Sequence, residues 1–363
     1  MGILYVTGIG IAVLIEVLLL AKRNKSASDR ILSLWMAVVV VHLFLFYLYY
    51  TGEVFRFPLL LGTEIPLPLL HGVFLYLYVS TLTKRWLAGK YTVLHFAPAF
   101  LMYLYLISFF ILPDDQKLSV YRNQGAGYET FNTIRHYAVL SSGIFYVALS
   151  LGILRKHRNA IQDQFSDLER VNLRWLQILT YGLGGIWLLL ILFQNDTLVF
   201  TGVACFIFTI GFFGVRQGSI FVDLTPGPVD ADNEQKEKYR KSGLSEDASR
   251  ELHESLRRLM NVEKPYRSNG LSIDDLALKL GVHPNYLSQV INQRENKHFY
   301  DFVNSYRIEE FKQMIADQKN QQFTLLSLAL DCGFSSKTSF NGCFKKATGQ
   351  TPSEYVESIS TPK

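Results

Sequence analysis

Seven apolar runs dominate the first 215 residues of this 363-residue chain, at 3–21, 31–50, 65–82, 93–112, 137–154, 175–194 and 197–215. At about 1.5 Å per helical residue, each is long enough to cross a hydrocarbon layer of roughly 30 Å. The pattern predicts a bundle of seven transmembrane helices over residues 1–222. The third run is the most interrupted, with Pro66 and Pro68 at its start and Glu64 just before it. The first run has no basic leader and ends Leu18-Leu19-Leu20-Ala21-Lys22, without a small-x-small cleavage site, so it is expected to be retained rather than removed as a signal peptide.

The loop charges predict an orientation, because Lys and Arg collect on the cytoplasmic side of a membrane. Lys22, Arg23, Lys25 and Arg30, then Lys84, Arg85 and Lys90, then Arg155, Lys156, Arg158, Arg170 and Arg174 lie on one side. Only Arg56, Lys117, Arg122 and Arg135 lie on the other. The N-terminus is therefore expected outside. An odd number of crossings then leaves the C-terminal region in the cytoplasm, which for a bacterial cell means a multi-pass protein of the inner membrane.

Ionisable side chains inside spans are costly to bury and are candidates for function. Glu16, His42 and His71 meet that description and are the candidate sensing residues, although a satisfied contact between helices would account for each. Tyr47, Tyr49, Tyr50, Tyr76, Tyr78, Tyr103 and Tyr105 either line a ligand cavity or form an interfacial belt.

The basic balance of the whole chain, net +5, belongs to this apolar half: up to Val222 there are 17 Lys and Arg against 11 Asp and Glu, and from Asp223 onward 19 against 20. Any nucleic-acid binding by the C-terminal half must then rest on local patches and motifs rather than bulk charge. Cys205, Cys332 and Cys343 have no CxxC or Cys/His spacing, so neither a metal site nor a disulfide framework is predicted, and no cofactor is expected. HExxH, GxSxG and paired intramembrane aspartates are also missing from the sequence, so no enzymatic activity is expected.

From 223 to 244 the chain is polar, with Pro226, Gly227 and Pro228 followed by mixed charges, and reads as a linker. Residues 245–363 read as helical. Ser245 is placed to cap a helix whose Leu252, Leu256 and Leu259 share one face, fit either to pack on the following domain or to form a dimer contact. Leu276-Ala277 and Gly281 then recur as Leu328-Ala329 and Gly333, 52 residues later. In both, a small residue four positions before a glycine lets two helices approach across a tight turn.

In the first repeat, Ser272 with Asp275 predicts a capped helix start, with Leu271 and Leu276 as a hydrophobic staple. The second helix begins near His283 with Pro284 at its first position. Leu287 and Ile291 face inward, which turns Asn285, Ser288 and Gln289 outward. In the second repeat Ser336 caps a helix with Phe340 and Phe344 inward and Lys337, Thr338 and Asn341 outward. Lys345 and Lys346 fall where phosphates would lie. Between the repeats, 299–315 predicts a long helix with Phe302, Val303, Tyr306, Phe311 and Met314 as its buried stripe.

Residues from about Leu271 to Val356 resemble the tandem helix-turn-helix domain of AraC/XylS-type bacterial transcription regulators. The resemblance is densest from Ala329 to Ser336, through Ser339-Phe340 and Phe344-Lys345-Lys346, to Gly349-Gln350-Thr351-Pro352, and it includes Arg307-Ile308-Glu309-Glu310. It implies two recognition helices in successive major grooves of double-stranded DNA, about 34 Å apart. Asn285, Ser288, Gln289, Lys337, Thr338 and Asn341 stand at the contacting positions. The chain departs from the family at Gly342 and Val356, where arginines are common.

The sequence as a whole predicts an all-α membrane regulator: a seven-helix sensor in the bilayer, responsive to a small ligand or membrane signal, joined to a cytoplasmic reader of promoter DNA. Coupling would run through the seventh span and the Ser245 helix, and self-association to a homodimer is left open. The alternative is a membrane transporter or channel carrying a regulatory DNA-binding domain.

Overall fold

The computed structural model describes residues 2–83, 90–168, 174–193, 195–217, 244–320 and 322–360. Lys84, Arg85 and Arg170 of the basic loops, and residues 223–243 of the 223–244 linker, lie outside the described residues. Helices and turns account for the fold; among the described residues the β-type pairing is a single antiparallel bridge, Phe165 with Ser272. The chain divides into two compact units, one of residues 1–155 and 173–228, the other of 156–172 and 229–363.

The first unit holds α1 (Gly2–Ala21), α2 (Ala27–Thr51), α3 (Pro68–Leu82), α4 (Ala97–Phe110), α5 (Asp114–Arg122), most of α6 (Glu129–Gln162), α7 (Arg174–Phe193) and α8 (Asp196–Gln217). Each of the seven apolar runs lies mostly on helix; among the described residues five helices are long and apolar enough to cross a membrane, and the apolar stretches Pro68–Leu82 and Asp196–Gly211 are shorter. The prolines explain the third: the chain turns through Leu67, and Pro68 enters the helix at its first position, where its missing N–H costs nothing.

The α1–α2 turn is set by a capping box, with Ser26 accepting from the Asp29 amide and Asp29 accepting from the Ser26 amide. Lys22 reaches the same Asp29 carboxylate at 2.6 Å. Large side chains such as Leu34, Leu101, Ile107, Phe145 and Leu192 point outward from this unit. In an aqueous protein such a surface would be an association liability; around a helix bundle it suits hydrocarbon.

The second unit contains α9 (Glu246–Val262), α10 (Ile273–Leu280), α11 (Pro284–Val290), α12 (Phe299–Ala316), α13 (Leu325–Asp331), α14 (Lys337–Thr348) and α15 (Pro352–Ser360). Ser245 caps α9 by accepting from the Ala248 amide. Of the two uses open to the α9 apolar face, the structure adopts packing within the domain: Leu256 and Met260 join a core with Leu271, Leu276, Leu287 and Ile291. A second core gathers Phe311, Phe334, Phe340 and Phe344. Helix α12 serves both, burying Phe302 and Val303 in the first core and Ile308 and Phe311 in the second.

Residues 156–172 belong to this second unit. Ser166 donates its amide to the Leu271 carbonyl at 3.1 Å, and Ile273 donates to the Gln164 carbonyl at 2.9 Å. Arg307, 1 % exposed, clamps this strap: its guanidinium donates to the Ser166 carbonyl and hydroxyl oxygens and to the carbonyls of Tyr266 and Ser268.

Candidate nucleic-acid interface

Each repeat folds as helix, glycine turn, helix. Helix α10 starts with the Ser272–Asp275 capping box and ends at Gly281, whose φ of 65° is the left-handed conformation that closes a helix. His283 caps α11 by accepting the Asn285 amide on its ring nitrogen at 3.2 Å, and Pro284 takes the first helical position. Leu287 and Ile291 are fully buried. The helical repeat then puts Asn285, Ser288 and Gln289, all half-buried, on the opposite side. That side carries a run of amides and hydroxyls spaced one turn apart, Gln289 to Gln293 and Asn292 to Ser288, at the loose distance of 3.4 Å in each case.

In the second repeat Thr324 caps α13 and Ser336 caps α14, each through its hydroxyl. Phe340 and Phe344 are buried, leaving Lys337, Thr338, Asn341 and Lys345 exposed. Lys346 is exposed too, but its ammonium sits between both oxygens of Asp301, at 2.7 and 2.8 Å. Of the two lysines read as phosphate partners, then, Lys346 is already paired with a carboxylate.

Three residues that hold this arrangement together have no counterpart in an amphipathic pattern. Arg307 and Glu310 are buried on α12, and Asn304 lies beside them, 3.0 Å from the guanidinium. Burial alone would raise the Glu310 carboxyl, but hydrogen bonds from Arg267, Lys264 and Tyr266 hold it down at about 2. Burial draws the Arg307 guanidinium down to about 10, so it stays cationic at neutral pH. The only sequence signal for them is the Arg307-to-Glu310 stretch within the family resemblance.

Among the described residues no group of three or more His, Cys, Asp or Glu side chains could hold a metal ion. Cys332 and Cys343 are buried thiols in the second core.

In the first unit, the residues singled out within spans separate. His42 and His71 come together, with ring nitrogens 2.8 Å apart and rings stacked at 5.1 Å. Trp35 donates its indole N–H to the other nitrogen of His71 at 3.3 Å. Glu16 instead accepts from Ser33 at 2.7 Å, and Lys22 pairs with Asp29. Of the seven tyrosines that could have lined a cavity, Tyr49 does so. Tyr78 packs edge-on against Trp175, and Tyr103 donates to the Thr63 carbonyl.

Residues 276–358 match the protein-family model described as Helix-turn-helix domain. The C-terminal region is a helix-turn-helix domain. An uncharacterized HTH-type transcriptional regulator of Staphylococcus aureus is 35% identical over 85 residues, 23% of this chain and 11% of the relative. Another such regulator, YobQ of Bacillus subtilis, is 32% identical over 26% of this chain and 37% of its own length. The probable transcription factor PqrA of Proteus vulgaris is 27% identical over 26% of this chain and 76% of its own. The chain thus spans about a tenth and about a third of the first two relatives. A solved structure from Listeria innocua, titled as of unknown function, is 27% identical over 28% of this chain and 92% of its own, with a TM-score of 0.25. The helix-turn-helix match covers both glycine turns and both outward-facing helices, α11 and α14.

Proposed function

We propose that the chain is a membrane-integrated one-component transcription regulator, with an AraC/XylS-type reader of promoter DNA in the cytoplasm and a sensor in the bilayer of the bacterial inner membrane. The observation that carries this reading is the co-existence, in one chain, of two capped helix-turn-helix repeats sharing one connecting helix and five helices apolar enough to span a membrane. Gln289 and Asn285 have the amide groups to pair with adenine, and Lys337 can donate to guanine, each pairing worth about 1–3 kcal/mol of discrimination. Lys345 adds affinity through phosphate without sequence preference. Lys346 can do so only by leaving Asp301.

Coupling needs an element that belongs to both halves. Helix α6 is such an element: it starts among the apolar helices at Glu129, its last residues cluster with the reader, and it leads into the Gln164–Ser166 strap held by Arg307. A signal that biases the membrane helices toward one of two arrangements then has a covalent route to the reader, in addition to the route through α8 and α9.

The test uses the full chain in lipid nanodiscs and a target duplex taken from a genome-wide map of its bound DNA. Combined Gln289→Ala and Lys337→Ala substitution is expected to lower affinity for the target at least tenfold, and for a random duplex less than threefold, in line with about 1–3 kcal/mol per base contact. Equal losses on the two duplexes would exclude base reading by these residues.

A further inference from the structure

The apolar half encloses a cavity of about 450 Å³, within the usual size range of small-molecule sites. It is elongated: its wall on α2 runs from Trp35 to Tyr49 and on α8 from Asp196 to Ile210, about 21 Å along either helix at about 1.5 Å per residue. Aromatic rings, Phe46, Phe131 and Phe206 among them, line much of it.

Three donors in that wall lack a partner among the described residues, alongside the half-buried Asn132 and His136 and the exposed carboxylate of Asp196, which also line it without a hydrogen bond among those residues. The Trp187 indole N–H is buried with no acceptor, in a side chain more than nine-tenths buried. Arg135 is half-buried in the wall and makes no hydrogen bond or ion pair among the described residues.

The third donor follows from the histidine pair. An indole N–H can only donate, so the Nδ1 of His71 that faces Trp35 must be bare. His71 then carries its proton on Nε2 and donates it to Nδ1 of His42. His42 is left with its own proton on Nε2, the nitrogen for which the described residues supply no acceptor. On the topology proposed above, Trp187, Arg135 and His42 all lie in the outer half of the bundle, between about 9 and 14 Å from the ends of α7, α6 and α2.

Two carboxyls line this wall: Asp196 is exposed, and Glu64 is the one whose charge acts on Arg135. Burial pushes the Glu64 carboxyl up toward its neutral form, against the opposing pull of the Tyr121 hydroxyl that donates to it at 2.6 Å and of Arg135.

We propose that this cavity is the sensory site and that it takes an elongated amphipathic anion, with an oxyanion head on Arg135, further acceptor atoms toward His42 and Trp187, and an apolar body along the aromatic wall. The assignment rests on the reading of the apolar half as a sensor and names what it senses. Unpaired donors in an apolar wall select against cations and against pure hydrocarbon, because either would leave these N–H groups desolvated and unmet.

Two indoles in the wall, Trp35 and Trp187, supply the readout. The full chain in nanodiscs of zwitterionic lipid is titrated with 12-bromododecanoate and, separately, with 12-bromododecan-1-ol, and tryptophan quenching is followed. Saturable quenching by the acid is expected, with a midpoint at least tenfold lower than that of the alcohol, raised at least tenfold in Arg135→Gln and kept within threefold in Arg135→Lys. Equal midpoints for acid and alcohol in the unaltered chain, or quenching that never saturates, would overturn the assignment without recourse to any variant; so would an unchanged midpoint in Arg135→Gln.

Adding phosphatidylglycerol to the nanodiscs identifies the source: competition with the acid points to a bilayer lipid, and its absence to an amphiphile from the aqueous phase, both consistent with the site. Because quenching is read without DNA, a chain that binds the acid while its reporter output in cells ignores it would defeat the sensor reading and leave the site standing. A chain that fails to bind it would defeat the site and leave the DNA reader untouched.

Discussion

The two helix-turn-helix repeats follow one rule with different materials. The first core is largely aliphatic, built on Leu256, Met260, Leu276, Leu287 and Ile291. The second is aromatic, with Phe311, Phe334, Phe340 and Phe344 in a chain of ring contacts at 4.7 to 5.7 Å. Their turn glycines, Gly281 and Gly333, are both left-handed, with φ of 65° and 98°. A side chain added at Gly281 would meet open space. At Gly333 it would be driven into the backbone of Tyr266 and Arg267. One glycine answers a local need for an unhindered turn, while the other also lets the first repeat's Tyr266–Arg267 segment lie directly against the second.

That contrast is breakable. Gly333→Ala should cost more than about 4 kcal/mol, the range reached when a strained backbone and an immovable clash combine. Gly281→Ala should cost about 1–2 kcal/mol, the penalty for an alanine in the left-handed region alone. Native-state proteolysis of the full chain in nanodiscs, scored by cleavage between residues 244 and 360, separates the two. Similar cleavage rates for both variants would show that the turns are equivalent after all.

A second difference lies in what each repeat holds. The first is bound along Leu271–Ile273 by the Gln164–Ser166 strap, and the strap is fixed by Arg307. Arg307→Met preserves much of the apolar stem and removes every donor. It leaves the carbonyls of Tyr266, Ser268 and Ser166 without this buried partner, at about 1–3 kcal/mol for each group left unmet; a net loss of about 3 kcal/mol is expected. Hydrogen exchange should speed up at the amides of Ser166 and Ile273, which bridge strap and α10, and change least within α14. Uniform acceleration across both repeats would mean that Arg307 supports the whole domain rather than the strap.

The helix starts were legible in the sequence because capping is local chemistry. Ser272 with Asp275, and Ser336, can be read within four residues, and the structure forms each of those bonds. The inward pairs Leu287 with Ile291 and Phe340 with Phe344 were legible for the same reason, one turn of helix being enough to define a face.

The strap was not legible, because Ser166 and Leu271 meet through backbone groups 105 residues apart and backbone carries no side-chain pattern. The helical setting of Arg135 is hidden for a different reason. It precedes the apolar run that begins at 137 and so reads as a loop charge, whereas α6 starts at Glu129 and carries it into the cavity wall. Apolar runs mark where a helix is buried in hydrocarbon, and a helix can begin well before its polar side chains stop. A proline fixes the start of α3 and leaves it 15 residues long, shorter than the apolar run in which it lies.

The smallest test sharpens the comparison of the two recognition helices. Helix α14 runs 12 residues against 7 for α11, yet it carries Gly342 in its interior. A Cβ at Gly342 meets nothing within 4 Å, and its φ is not left-handed, so neither space nor backbone geometry calls for glycine there. Gly342→Ala should therefore stabilise the second repeat by about 1 kcal/mol, seen as slower cleavage within α14, and leave DNA affinity nearly unchanged. Gly342→Arg should add the same helical gain together with a cation on the exposed face. If that face lies on DNA, the salt dependence of binding steepens by about one phosphate contact, a change of about 0.9 in the logarithmic slope. A steeper slope for arginine with none for alanine would assign this face of α14 to the duplex; identical slopes would turn it toward solvent and leave base reading to α11.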